Sequence, residues 1–276
     1  MVRAWLSFVL VWGAFLGRTA PVAAAPTPIA QPTSKWIIEF EHERCTAARA
    51  YSGGTREFAI GFEPKPTSPV MNVIVQVPKA LDVLAKWNAW YSIGAGRFVK
   101  DVVTATPSTK PGVSRYNLTI GRDEVEHLLQ NPDLQIGTDQ GPRVHVRLAD
   151  FPEVIKTLNE CEAGLLADWG LARETQGTLK SFPKTIAPEG VYFSSEDYPP
   201  KAYLRDAIGI VEARVTVNTH GRAVDCHIMQ TSGHKDLDDA TCAAFVKRAR
   251  FEPARDKSGN ALMSPYVFTV NWVSYL

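Results

Sequence analysis

Along this chain the sharpest alternation of apolar and polar residues lies in the last third. Val211, Ala213, Val215 and Val217 interleave with Glu212, Arg214 and Thr216, and a second alternating run goes from Ala223 to Met229. Side chains of a strand point alternately to its two faces, so each run reads as a strand with one apolar face. Between them, Asn218-Thr219-His220-Gly221 reads as a four-residue hairpin turn with Gly221 at a position wanting positive φ. Ser232-Gly233 closes the second strand, and Asp236 offers an N-cap for a helix through Arg250. Phe251 leaves that helix and Pro253 prevents its continuation. Upstream, Tyr198-Pro199-Pro200 opens a short helix over residues 199–206, which Gly209 ends. The final strand, Tyr266 to Val273, is β-branched and aromatic almost throughout.

The front half alternates less cleanly. Strands are expected at Trp36–Glu41, Phe58–Phe62, Met71–Val77, Arg115–Ile120 and Arg143–Leu148, with a short helix over Asp123–Gln130. The clearest helix starts after Asp150, an N-cap with Glu153 three residues on, and its stripe is Phe151, Val154, Ile155, Leu158 and Leu165. Several strands and a closing helix predict a mixed α+β domain over residues 35–170. Residues 171–197 hold Gly177, Pro183, Pro188 and Gly190 without sustained periodicity, and read as a linker.

Arg3 followed by the uncharged apolar run Ala4–Leu16 and by Val22-Ala23-Ala24 has the form of a cleaved secretory signal over residues 1–24. Spanning a bilayer takes about 20 apolar residues, and Arg18 interrupts this run after about 13. All four cysteines then lie in the exported part, where an even count reads as disulfides. Four cysteines allow three pairings, and their order does not choose among them. Strand and helix geometry favours Cys226 with Cys242, since Cys226 shares a face with Val224 and Ile228 while Cys242 borders the apolar side of the next helix. Cys45 and Cys161 are then left to each other.

Composition adds exclusions. A net charge of +1 gives no basic field for nucleic acid. Gly94-Ala95-Gly96 lacks the strand-to-helix frame of a phosphate loop, and Trp36, Trp87, Trp90 and Tyr91 read as core packing before a ligand site. His220, His227, His234, Cys226 and Cys242 invite a zinc reading, but Cys226 and His227 point to opposite strand faces and no Cys-x-x-Cys or His-x-x-x-His pair is present. Thr231-Ser232-Gly233-His234 lacks the glycine-flanked elbow of a serine hydrolase. The expectation is a non-enzymatic chain with no cofactor and no metal.

The order of pieces from Tyr198-Pro199-Pro200 to Leu276 resembles the C-terminal domain of TonB, the periplasmic energy transducer that contacts outer-membrane transporters. The resemblance implies a tail domain over residues 198–276, a three-stranded antiparallel sheet with helices on one face. It also implies that the last strand accepts an extended transporter segment by strand addition, with Tyr198 and Pro199 beside it and Tyr266, Phe268, Val270 and Trp272 on it. A homodimer through that strand is a further expectation. A working transducer has an inner-membrane helix and a proline-rich spacer, and here a short apolar leader and a folded domain stand in their places. Two readings follow: a periplasmic protein that binds a protein partner, or a membrane-anchored transducer of the inner-membrane proton gradient.

Overall fold

The computed structural model describes residues 27–53, 56–79, 85–94, 96, 98–107 and 112–273. The expected signal peptide therefore lies outside the described residues. The front half contains strands β1 (Gln31–Pro32), β2 (Ile37–Phe40), β3 (Cys45–Gly53), β4 (Arg56–Pro64), β5 (Val70–Val77), β6 (Ala85–Ile93), β7 (Val99–Pro107) and β8 (Ser114–Gly121). Helix α1 (Arg122–Gln130), strands β9 (Asp133–Thr138) and β10 (Arg143–Arg147) and helix α2 (Phe151–Asp168) complete it.

All ten strands form one antiparallel sheet in the order β1-β3-β4-β5-β8-β7-β6-β9-β10, with β2 also on β3. The sheet curls until Ala30 meets Val146 in a parallel bridge, where the Ala30 amide donates to the His145 carbonyl at 2.7 Å. The result is a nearly closed barrel. Alternation drives it: Tyr51, Ile60, Phe62, Val73, Val75, Tyr116, Leu118 and Val103 all turn inward and are buried. The predicted α2 stripe joins this core, with the Phe151 ring tilted against Phe62 at 4.7 Å between centroids. Asp150 occupies the N-cap position, but in a left-handed conformation with no side-chain cap bond, so the expected capping box does not form. Cys45 pairs with Cys161, tying β3 to α2.

Residues 171–197, read as a linker from the sequence, contain α3 (Arg173–Thr178), β11 (Leu179–Ser181), β12 (Lys184–Thr185) and two 3-10 turns at Glu189–Tyr192 and Ser195–Asp197. The tail then has α4 (Pro200–Tyr203), β13 (Gly209–Val217), β14 (Ala223–Gln230), α5 (Lys235–Arg248), β15 (Phe251–Glu252), β16 (Ala254–Asp256), β17 (Ala261–Leu262) and β18 (Ser264–Trp272). β11 pairs with β16, and β12 with β15, so the aperiodic stretch is stitched into the tail. The short opening helix is one turn, less than the 199–206 expected, because Asp206 adopts φ 50° and turns the chain. Gly221 sits at φ 71°, as the hairpin requires. The long helix starts at Lys235 after an N-cap at His234; the neighbouring carboxylate Asp238 turns back to accept from the Ser232 amide at 2.9 Å.

The tail sheet has the order β14-β13-β18. Val211, Ala213, Val215 and Val217 bury against α5, and Cys226 is disulfide-bonded to Cys242 across that interface. Phe268 lies stacked on Phe245 at 3.6 Å between ring centroids. The opposite face of this sheet is covered as well. Met229 and Val267 pack on the barrel core, Arg214 lies 4.9 Å above the Trp169 ring, and Glu212 sits between Arg44 at 3.6 Å and Lys65 at 3.9 Å. Its carboxyl is pushed up from the ordinary range, mainly by burial.

Candidate functional site

β18 is an edge strand, and its register with β13 runs without a slip from Gly209 opposite Trp272 to Val217 opposite Ser264. Val267 shows which way the edge faces, since its amide donates to Thr67 of the barrel and not to β13. An antiparallel strand alternates residue by residue between its two sides. Outward-directed N–H and C=O groups therefore belong to Val267, Thr269, Asn271 and Val273. Pro265 occupies the same set of positions, where its missing N–H costs no ladder bond.

The even-numbered residues face the other way. Phe268 is 2% exposed and Trp272 6%. The Trp272 Nε1 donates to the Thr241 hydroxyl at 2.8 Å, and the Tyr266 hydroxyl donates to Glu189 at 2.5 Å. Burial, with help from that carboxylate, raises the Tyr266 pKa. Tyr266, Phe268 and Trp272, singled out from the sequence, thus hold the strand onto α5 and the preceding turns. Their side chains anchor the edge, and of the three only Trp272 also borders the groove beside it.

The outward edge opens into a groove of about 600 Å³ whose floor is Thr269–Val273. Its far wall is the segment from Glu189 to Tyr203, with Phe193 and Tyr198. Aromatic contact joins wall to floor, because Tyr198 meets Trp272 edge-on at 5.3 Å and Tyr203 at 5.9 Å. The Tyr198 hydroxyl donates to the Ala207 carbonyl. Pro199, the N-cap of α4, begins the helical turn behind Tyr198. Arg248 of α5 clamps the wall, donating to the Tyr192 carbonyl at 2.7 Å and to Asp197, whose pKa it lowers to about 2. Of the expected partner-binding residues, Tyr198, Val270 and Trp272 border the groove, while Pro199, Tyr266 and Phe268 stand behind it.

The other sequence candidates disperse. Cys226 is taken by its disulfide, and His227 faces away from it with Nε2 3.0 Å from Glu43. Trp36 donates to the Ala149 carbonyl at 2.8 Å and Trp87 packs on Tyr116 at 5.5 Å. Trp90 lies so close over Gly137 that an added Cβ there would fall 2.3 Å from its ring. A second hollow, about 610 Å³ at one mouth of the barrel, brings Glu57, Lys79, Arg143 and His145 around Phe58 and Tyr116. Sequence reading missed it because its residues come from six separate turns and strand ends.

No curated protein matches this chain. Residues 194–273 match the family model described as Gram-negative bacterial TonB protein C-terminal, so the tail of this chain carries a TonB C-terminal domain.

Proposed function

We propose that this is a periplasmic TonB-like protein whose tail captures an extended segment of a protein partner by strand addition on the outer edge of β18. The observation that carries the reading is the edge itself. The main-chain groups of Thr269, Asn271 and Val273 face a groove walled by Tyr198 and Phe193. Unpaired strand edges are templates for added strands. The family match supports a role in transport energy coupling and makes an outer-membrane transporter the expected partner.

The test titrates the full exported chain with N-terminal peptides of outer-membrane transporters and compares Asn271→Pro. Asn271 is exposed and its N–H faces outward, so proline there spares the β13 ladder. Proline at Val270 would break an inward bond and confuse folding with binding. Losing one main-chain bond and crowding the added strand should weaken binding by at least about tenfold. Unchanged affinity in Asn271→Pro would refute edge pairing. Fractionation separates the two cellular readings: a soluble periplasmic species beginning near Ala25 supports partner binding alone, and a membrane-bound species retaining Met1 supports a transducer.

A further inference from the structure

We propose that the barrel carries a built-in cap on the tail's binding edge, the β4–β5 hairpin loop Lys65–Ser68, which confines an added strand to the Thr269–Val273 half of β18. The proposal rests on the strand-addition reading and narrows the partner to a short extended segment. Hairpin tips normally project into water, but here Pro66 is buried and Thr67 is 4% exposed. The Ser68 amide donates to the Lys65 carbonyl at 3.1 Å, closing a four-residue turn with proline second and threonine third. Thr67 takes φ 69°. That position in such a turn belongs to glycine or asparagine, and a β-branched residue there is strained.

What threonine supplies is its hydroxyl. Thr67 Oγ1 accepts from the outward amide of Val267 at 3.3 Å, and Lys65 Nζ reaches the Thr269 hydroxyl at 3.4 Å. The loop thus stands in for a neighbouring strand at one end of the edge. The groove begins where the loop stops, at Thr269, and runs to Val273. At about 3.4 Å per residue that interval accepts a strand of roughly five residues. The same obstruction prevents a second copy of β18 from pairing along the whole edge, so a homodimer through this strand is disfavoured.

The experiment uses the full exported chain, and its first readout is amide exchange by NMR. In the wild type the Val267 amide should be protected and the Asn271 amide should exchange freely. Thr67→Val keeps the branched shape without the acceptor, and should speed exchange at Val267 by about fivefold while leaving Asn271 unchanged. The second readout is affinity for a nested series of transporter peptides. Affinity should stop rising beyond about five residues for the wild type, and should continue to rise when residues 65–69 are replaced by an Asn-Gly turn. Val267 exchanging as fast as Asn271 in the wild type would overturn the cap. The same length dependence in both proteins would overturn the confinement. Peptides that bind neither protein would refute strand addition itself, and the confinement with it.

Discussion

Replacing Arg44 by methionine removes the charge that bridges barrel and tail. Arg44 lies 3.6 Å from Glu212 of β13, 3.9 Å from Glu63 of β4 and 3.3 Å from the Gln230 side-chain oxygen. Both carboxylates are shielded, with side-chain exposures of 15% and 8%. At an effective dielectric of about 20, a unit pair at this separation attracts by about 5 kcal/mol before desolvation. Removing one partner of a buried pair typically costs about 3–5 kcal/mol. Lys65 remains near Glu212 and Arg115 near Glu63, so the expected loss for Arg44→Met is roughly 2–3 kcal/mol at neutral pH.

The pH dependence carries the sharper signature. Burial holds the Glu212 carboxyl above its ordinary value, with Lys65 and Arg44 opposing and Glu63 adding to the rise. A raised native pKa contributes stability that is complete below the unfolded value and is lost as pH rises through the native one. Without Arg44 the native value climbs further, so the loss concentrates at neutral pH and shrinks as Glu212 takes up its proton. Urea unfolding of the two proteins at about pH 7.5 and about pH 4.5 measures this, with the smaller difference expected at the acid value. Adding Glu212→Gln to Arg44→Met should recover more than half of the loss at neutral pH. A difference below about 0.5 kcal/mol, or one of equal size at both pH values, would refute the argument.

Three more outcomes follow from the packing. The Cys226–Cys242 and Cys45–Cys161 bridges close loops of 16 and 116 residues. In the chain-entropy account they are worth about 3 and about 5 kcal/mol, so paired alanine substitutions should rank in that order in denaturant midpoint. Phe268→Ala removes a buried ring stacked on Phe245, and should cost about 3–5 kcal/mol by the same assay. Asp197→Asn, which weakens the Arg248 clamp, should cost on the order of 1 kcal/mol at neutral pH. Because the native Asp197 pKa is depressed to about 2, that difference should fade as acid titration passes from about pH 4 down to about pH 2.

Much of the tail was legible in the sequence because its signals are local. Alternation marked β13 and β14, Gly221 marked the hairpin, and Pro253 marked the end of α5. The barrel was not. β3, β6 and β7 carry short or polar residues such as Thr46, Ala48, Asn88 and Thr104 on their outer faces, and so passed without notice. Closure depends on Ala30 meeting Val146, a pairing across most of the front half that no local pattern encodes. The stretch 171–197 looked aperiodic because its strands are two or three residues long. At the candidate site the sequence pointed to β18 but did not distinguish the side chains packed on α5 from the main-chain groups that face outward. Glu212 and Arg214 form the polar side of the β13 alternation, but alternation reports polarity and not exposure; here the barrel covers them.

The antiparallel register of β18 with β13 also has a mechanical side. A partner strand laid along the β18 edge and drawn lengthwise would load the nine residues of β18 in parallel, as shear, and would not peel them off one at a time. Behind β13 the Cys226–Cys242 bond fastens β14 to α5, so the far side of the sheet resists sliding. The load would then pass through Arg44, Lys65 and Glu212 into the barrel wall, where Cys45–Cys161 ties β3 to α2. Under such a pull the ion pairs that seat the tail on the barrel would bear load together with the β18–β13 ladder.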